Sequence, residues 1–361
     1  MYLSKLLLQN FRSYPQQLIE FDPKLNLILG PNGSGKTNIL EAIFFLATGK
    51  SFRSSSQSKL INWDDFFTSV RAKIINNKDE NSEIEIKLIK DRTGKSSTVS
   101  RKFLIDKVEK TRKKYIGIFK TVIFKTVIFH PEDIRLINGS PSRRRDFLDE
   151  IFLQTEWRYT QALSQYNKAL KHRNELLDQI REGKSTKSEL FYWDQTLIKN
   201  AGIIHDFRTT FIRSANSFFQ NHPDPQIKLI YLNYHPSVLN EEKLEKVYFL
   251  DLQRGCTQIG PHRDDFSFNN NNFSTEDKNL AFWGSRGQQR LAVLAIRLAQ
   301  INYLEKIYQD KPVLLLDDIF SELDPDHQRL VVSLCKKYQT IFTAAEPESV
   351  QILSTAKLIK L

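Results

Sequence analysis

Residues 25–49, LNLILGPNGSGKTNILEAIFFLATG, narrow the folds open to this chain more than any other stretch. Leu25 to Leu29 is a short, nearly continuous apolar run, the pattern of a strand buried on both faces. Gly30-Pro31-Asn32-Gly33-Ser34-Gly35-Lys36-Thr37 then completes G-x-x-x-x-G-K-[ST]. Beyond it Ile39, Leu40, Ile43, Leu46 and Ala47 mark a buried helical face, and Gly49 is placed to end that helix at C′. Strand, glycine loop and helix in this order predict an α/β fold with an anion cradle. The glycines let successive backbone N–H groups converge on a β-phosphate without Cβ obstruction. Lys36 is then placed for the β/γ oxygens, and the Thr37 hydroxyl for Mg²⁺.

A second apolar run ends in acids: KPVLLLDDIFSELDPD, residues 311–326. Val313 to Leu316 reads as a buried strand, with Asp317 and Asp318 at its carboxyl end, where open α/β sheets place their sites. Two adjacent acids there are costly as core. Asp317 is assigned to the Mg²⁺ that Thr37 holds, and Asp318 to orienting or deprotonating an attacking water.

A third stretch, WGSRGQQRLAVLAIRLAQ at 283–300, puts Ser285, Gly287 and Gln288 just before a helix marked by Leu291, Leu294, Leu298 and Ile301. Free N–H groups and the positive end of the helix dipole favour an anion there. A second anion-binding helix start is surplus for a single-chain phosphate-loop enzyme. It makes sense if two copies meet head to tail, each presenting these residues to the γ-phosphate held by the other. A C₂ dimer with two such sites follows.

The rest of the chain is read more coarsely. SEIEIKLIKDRTGKSSTVSRKFLID is expected to be a hairpin turning near Thr93-Gly94, with Ile84, Ile86 and Leu88 inward and Glu85 and Lys87 outward. Its basic residues (Lys87, Lys90, Arg92, Lys95, Arg101, Lys102 and Arg112-Lys113-Lys114) read either as a phosphate-tracking surface or as ordinary solvated positions. Phe119–Ile123 is repeated at once as Phe124–Ile128, which in a strand inverts the inside/outside pattern. From about Ser142 to Asn221 the pattern is helical. Leu163, Tyr166, Leu170, Leu177 and Ile180 fall at roughly heptad spacing and Arg173 breaks the seam. The Arg143-Arg144-Arg145 triplet at a helix start runs against the helix dipole and hints at an outside anion. The boundaries expected are an N-terminal part of the nucleotide-binding head at 1–141, a mostly helical insertion at 142–250 and a C-terminal part of the head at 251–361.

A formal net charge of +11 over 361 residues suits a polyanionic partner. The two cysteines, Cys256 and Cys335, form no close-spaced pair and ask for no oxidising compartment. No apolar run approaches the roughly 20 residues needed to cross a bilayer, and no signal peptide is read at the start, so a cytoplasmic protein without membrane attachment is expected.

Taken in order, these motifs resemble a known family. LLLQNFRSY (6–14), GPNGSGKTNILEAI (30–43), SPSRRRDFLDE (140–150), GPHRDD (260–265), SRGQQR (285–290) and LLLDDIFSELD (314–324) resemble the RecF family, in the SMC- and Rad50-like branch of the ABC-class ATPases. The resemblance covers essentially the whole chain. It implies an α/β ABC-class phosphate-loop ATPase head with a mostly helical inserted second domain and no long coiled-coil arm. It further implies ATP and Mg²⁺ as cofactors, held by Lys36, Thr37 and Asp317, and a signature formed in trans by Ser285, Gly287 and Gln288. Ser321 to Asp324 would be a D-loop crossing the dimer interface. Implied partners are duplex and gapped DNA, the mediators RecR and RecO and, indirectly, the RecA recombinase. Weak, DNA-stimulated ATP hydrolysis would act as a switch on an ATP-dependent homodimer.

Two departures from the wider ABC pattern stand out. The strand ends Asp317-Asp318 where Asp-Glu is usual, which predicts slow turnover and leaves Glu322 as a rival base. The switch histidine of transporter ATPases has no equivalent in TIFTAAEPE, where Thr343 takes the position. A transporter subunit is disfavoured by that missing histidine, and a single-chain phosphotransferase leaves SRGQQR without a role.

Overall fold

A computed structural model describes residues 1–54, 56–76, 80–90, 99–115, 124–273, 278–322, 325–345 and 356–361, with only the backbone described at 113, 321, 322 and 326. The chain divides into two units, Met1–Asp133 with Gln300–Leu361, and Ile134–Ala299. These divisions differ from the expected 141 and 250: residues 251–299, which include the 285–290 stretch, belong with the helical unit.

The first unit is built on two sheets. One is parallel throughout, in the order β13 (Lys357–Lys360), β3 (Leu25–Leu29), β12 (Thr340–Ala344), β11 (Val313–Asp317), β8 (Thr126–Phe129). Every residue of β8, β11 and β12 is buried, as a parallel sheet covered on both faces requires. The other is antiparallel: β2 (Tyr14–Glu20), β1 (Tyr2–Phe11), β4 (Phe67–Ile75), β5 (Asn81–Lys90), β6 (Val99–Ile105), β7 (Val108–Lys110). Helix α1 (Lys36–Thr48) is buried almost all round, which marks a helix enclosed by other elements rather than one lying on a surface. Its Ile39, Ile43 and Phe45 share one core with Leu6 and Leu8 of β1, Val70 of β4, Ile86 of β5, and Ile28, Leu315 and Ile341 of the parallel sheet. Gly49 ends the helix in the left-handed region at φ 68, its N–H bonded to the Phe45 carbonyl, as expected of a C′ glycine.

The hairpin is present as β5 and β6, with Ile84, Ile86 and Leu88 buried; Arg92, Thr93, Gly94 and Lys95 lie outside the described residues. Glu85, expected outward and solvated, is 3% exposed because the Ser69 hydroxyl at 2.5 Å and Arg71 at 3.2 Å close over it. Four of these basic residues have partners within the fold, Lys90 donating to the Asp65 carbonyl at 3.3 Å. Lys87 pairs with Glu85 at 3.6 Å and Lys102 with Glu109 at 3.2 Å. Arg101 donates to the Gly49 carbonyl at 2.7 Å, and burial brings its pKa down to about 10. Of the tandem repeat, the second copy runs into β8, where Val127 and Ile128 are buried; the first lies outside the described residues. The helix α2 (Arg112–Tyr115) follows β7 and packs its Tyr115 on Phe103, ring centroids 5.0 Å apart. Helix α11 (Pro325–Cys335) lies between β11 and β12 in sequence.

The second unit holds α3 (Arg135–Asn138), α4 (Pro141–Thr155), α5 (Trp157–Arg181), α6 (Phe191–Gln220), α7 (Pro225–Lys228), α8 (Glu241–Arg254) and α9 (Leu280–Trp283). An antiparallel pair, β9 (Ile230–His235) and β10 (Asp265–Asn270), completes it, and α10 (Arg286–Tyr308) begins in it. The predicted helical middle is therefore present. Arg173 meets Asp194 and Tyr159 meets Arg208, so α5 and α6 run antiparallel as a folded-back hairpin.

Arg173 does not break the α5 seam. Tyr159, Ala162, Tyr166, Ala169, Arg173 and Leu177 are the buried positions of that face, and Arg173 is 1% exposed among them. Its guanidinium is neutralised by Asp194 at 2.6 Å and Asp251 at 2.7 Å, with the Thr257 hydroxyl at 2.8 Å. A buried cation paired on both sides is tolerated where a lone one is not. Heptad spacing alone could not show those partners.

Candidate nucleotide site

The site is assembled at the carboxyl end of the parallel sheet. The loop after β3 places Gly33 and Gly35 at φ 84 and 102, in the left-handed region where side chains are strained. Gly35 is required twice over, since a Cβ there would lie 2.5 Å from the Tyr14 hydroxyl. That hydroxyl donates to the Ser34 carbonyl at 3.3 Å, so β2 braces the loop from outside. Lys36 donates to the carbonyls of Gly30 (2.5 Å) and Pro31 (2.9 Å), which folds its ammonium over the loop. The Ser34 Oγ is buried without a hydrogen-bond partner, an orphaned polar atom inside an anion cradle.

Asp317 is the hub. Strand β12 separates β3 from β11 in the sheet, and its register sets Thr343 beside both Asp317 and Ile28. The Thr343 hydroxyl donates to Asp317 Oδ1 at 2.9 Å. From the first turn of α1, Thr37 Oγ1 lies 3.0 Å from Oδ1 and 3.1 Å from Oδ2 of the same carboxylate, although 280 positions separate the two residues. A hydroxyl and a carboxylate in contact are hard oxygen donors of the kind that holds Mg²⁺ beside phosphates. With the orphaned Ser34 Oγ, they fit a magnesium nucleotide. Asp318 is exposed, with its backbone at φ 48 and its N–H bonded to the Thr343 hydroxyl at 3.0 Å.

Several residues that the sequence reading did not single out join this site. Arg12 clamps the buried Glu41 of α1 with two bonds, 2.9 and 2.6 Å, and Ser51 donates to the same carboxylate. Ser13 accepts from Asn38 at 3.0 Å, and Arg53 donates to Asn38 at 2.8 Å. The FRSY part of LLLQNFRSY is thus the brace of α1 and the loop. Asn10 and Arg12 at φ 52 and 54 show that the bend leading to it is tightly held. His130, at the end of β8, is 3.3 Å from Asp317 Oδ2 through Nε2.

The signature stretch is described within its own unit. Ser285 and Gln288 form a reciprocal capping box at the start of α10: Ser285 Oγ accepts from the Gln288 N–H at 3.3 Å, and Gln288 Oε1 from the Ser285 N–H at 2.9 Å. Ser285 and Gly287 are exposed. A Cβ on Gly287 would meet nothing nearer than the Ser285 Oγ at 4.0 Å, so the chain's own packing does not call for glycine there. Leu323 and Asp324 of the expected D-loop lie outside the described residues, and Ser321 and Glu322 are described as backbone only, in a short 3₁₀ turn at Ile319–Glu322.

Two arginines of the triplet have partners inside the unit. Arg144 is bidentate to Asp265, 2.6 and 2.9 Å, and Arg145 donates to the Asp264 carbonyl at 2.8 Å. The fully buried Asp264 accepts from Arg208, His205, Tyr234 and the Ser237 N–H. Burial raises its pKa, but the hydrogen bonds from His205 and Tyr234 and the charge of Arg208 outweigh burial and hold it below the usual carboxylate range. Gly260, at φ 123, admits the Tyr166 hydroxyl to within 2.3 Å of where a Cβ would stand. SPSRRR and GPHRDD are therefore two halves of one packed polar junction.

Comparison with known proteins agrees with the motif order. Residues 2–359 match the family described as RecF/RecN/SMC N terminal domain. The chain is 33% identical over 364 residues to the DNA replication and repair protein RecF of Acetivibrio thermocellus, covering 96% of this chain and 94% of that one. It is 35% identical over 367 residues to the protein of the same description from Streptococcus pneumoniae, covering 98% and 95%. Among solved structures it is similar to the recombination mediator protein RecF-ATP in the RecFOR pathway, with TM-score 0.82, 30% identity and coverage of 99% and 95%. The Smc head domain of Pyrococcus furiosus shares the fold, at TM-score 0.52 and 18% identity over 99% of this chain and 93% of that one. The ABC-class ATPase head expected from the sequence is the fold found.

Proposed function

The chain belongs to the RecF family of DNA replication and repair proteins, within the wider RecF/RecN/SMC group, and on that premise we propose that it is an ATP-switched DNA clamp of recombinational repair. The observation that carries this is the contact of Thr37 with Asp317 beside the glycine loop.

Lys36 would leave its two loop carbonyls for the β/γ oxygens, and the orphaned Ser34 hydroxyl and the loop N–H groups would complete the cradle. Thr37 and Asp317 would hold Mg²⁺, which supplies neutralisation of charge on the phosphates. Asp318, exposed at the strand end, orients or deprotonates the attacking water, with Glu322 as the rival. Ser285, Gly287 and Gln288 of one copy close on the γ-phosphate held by another, so binding of ATP joins two chains on DNA and slow hydrolysis releases them. Duplex DNA next to single-strand gaps is the proposed substrate, RecR and RecO the partners, and RecA loading the outcome. The net charge of +11 supports a polyanionic partner.

The test is binding to duplex and gapped DNA with and without ATP and Mg²⁺ across a salt series. The reading expects ATP-dependent binding that falls as salt rises, through loss of counterion release, and loss of the ATP dependence in Lys36→Ala. DNA binding indifferent to ATP in both proteins would overturn it.

A further inference from the structure

We propose that His130 is a positioning residue for Asp317, its Nε2–H holding Oδ2 in the orientation at which Asp317 and Thr37 face one cation. The inference rests on the reading of Asp317 as the Mg²⁺ ligand and goes beyond it.

Strands β8 and β11 are paired in register with Phe129 opposite Leu316, so the next residues, His130 and Asp317, leave the sheet side by side. The Nδ1 of His130 accepts the backbone N–H of Glu132 at 3.1 Å. A neutral imidazole with one nitrogen used as acceptor carries its proton on the other. That nitrogen is Nε2, 3.3 Å from Asp317 Oδ2. The ring is also held by Phe52, centroids 5.4 Å apart, and the His130 backbone N–H is bonded to Asp133 Oδ2 at 3.1 Å. The donor is therefore fixed in tautomer, in ring plane and in backbone.

The other donors on the carboxylate cannot replace it. Thr343 serves Oδ1 and is committed there from β12. Thr37 lies within reach of both oxygens, but one hydroxyl proton serves one oxygen at a time. His130 Nε2, at 3.3 Å, is the ring nitrogen that faces Oδ2. Partners that orient a metal-binding side chain typically change metal affinity by about 10- to 100-fold when removed.

The experiment measures binding of a fluorescent ATP analogue as Mg²⁺ is varied, and again in EDTA, for wild type and four variants. His130→Ala is expected to raise the Mg²⁺ concentration for half-effect on the order of 10-fold, with EDTA binding unchanged. His130→Gln, whose amide nitrogen reaches the place of Nε2, is expected to restore it; His130→Asn, which reaches only the place of Nδ1, is not. Asp317→Asn is the control for the underlying reading: if it leaves the Mg²⁺ dependence unchanged, Asp317 is not the ligand and that reading fails. If Asp317→Asn shifts the dependence while the Asn and Gln variants both match wild type, the role of His130 is refuted and the metal site stands. Should His130→Ala not fold, the Gln and Asn pair decides by itself.

Discussion

Thr343 on β12 donates its hydroxyl to Asp317 Oδ1 on the neighbouring β11 at 2.9 Å, while its own Oγ1 accepts the Asp318 N–H at 3.0 Å. One side chain thus fixes both acids at the strand end. The threonine serves as a neutral link between the two strand ends. Thr343→Val keeps the shape and removes the hydroxyl, leaving the Asp318 N–H without this acceptor. We expect a loss of about 1–3 kcal/mol in urea unfolding, restored by Thr343→Ser. Equal stability of the Val variant and wild type would show that the link carries no weight.

Asp318 and Glu322 are separated by turnover rather than binding. Asp318→Asn is expected to slow ATP hydrolysis by about 10²- to 10⁴-fold with ATP affinity retained, and Glu322→Gln to change it little. The reverse pattern in single-turnover rates would assign the base to Glu322.

The open surroundings of Gly287 and the exposed Ser285 make a direct test of shared sites. Light scattering with ATP and Mg²⁺ is expected to show a doubled mass for wild type. Ser285→Arg, with Lys36 intact, should bind ATP and remain monomeric. If both proteins hydrolyse ATP as monomers, the stretch at 283–300 is only a helix start.

The junction around Asp264 predicts a pH dependence of stability. Its folded pKa lies below the ordinary value, so the native state holds fewer protons than the unfolded chain as pH drops below that value. The stabilisation is fully present above about pH 4 and is lost as pH falls through the lower folded value. Asp264→Asn removes this part of the acid slope and leaves the 2%-exposed Arg208 with less opposing charge. We expect it to cost about 3–5 kcal/mol at neutral pH. Urea midpoints for both proteins between pH 3 and 7 check it; an unchanged acid slope in the variant would place the effect elsewhere.

The local parts of this site were legible in the sequence. Strand, loop and helix at 25–49 are contiguous, and their demands for apolar burial, left-handed glycines and a helix stop are each met within a few residues. The acids ending β11 were legible for the same reason: an apolar run shows where a strand stops. Charge was misjudged wherever its partner was remote. Arg173 read as a broken seam because Asp251 is 78 positions away, and the Arg143-Arg144-Arg145 triplet hinted at an outside anion because Asp265, the partner of Arg144, is 121 away.

Glu85 and His130 looked ordinary for a related reason, since nothing near them in sequence names what lies across the sheet. Spacing thus determined the α/β class and the phosphate loop, and the order of the motifs carried the resemblance to the family. Only the tertiary structure decided that β12 lies between β3 and β11, that β8 flanks β11, and hence that Thr37, His130 and Thr343 converge on Asp317. Backbone conformation follows from short-range sterics and hydrogen bonding, which spacing records. The neutralisation of a buried charge depends on which distant strands and helices pack together, and no local pattern encodes that.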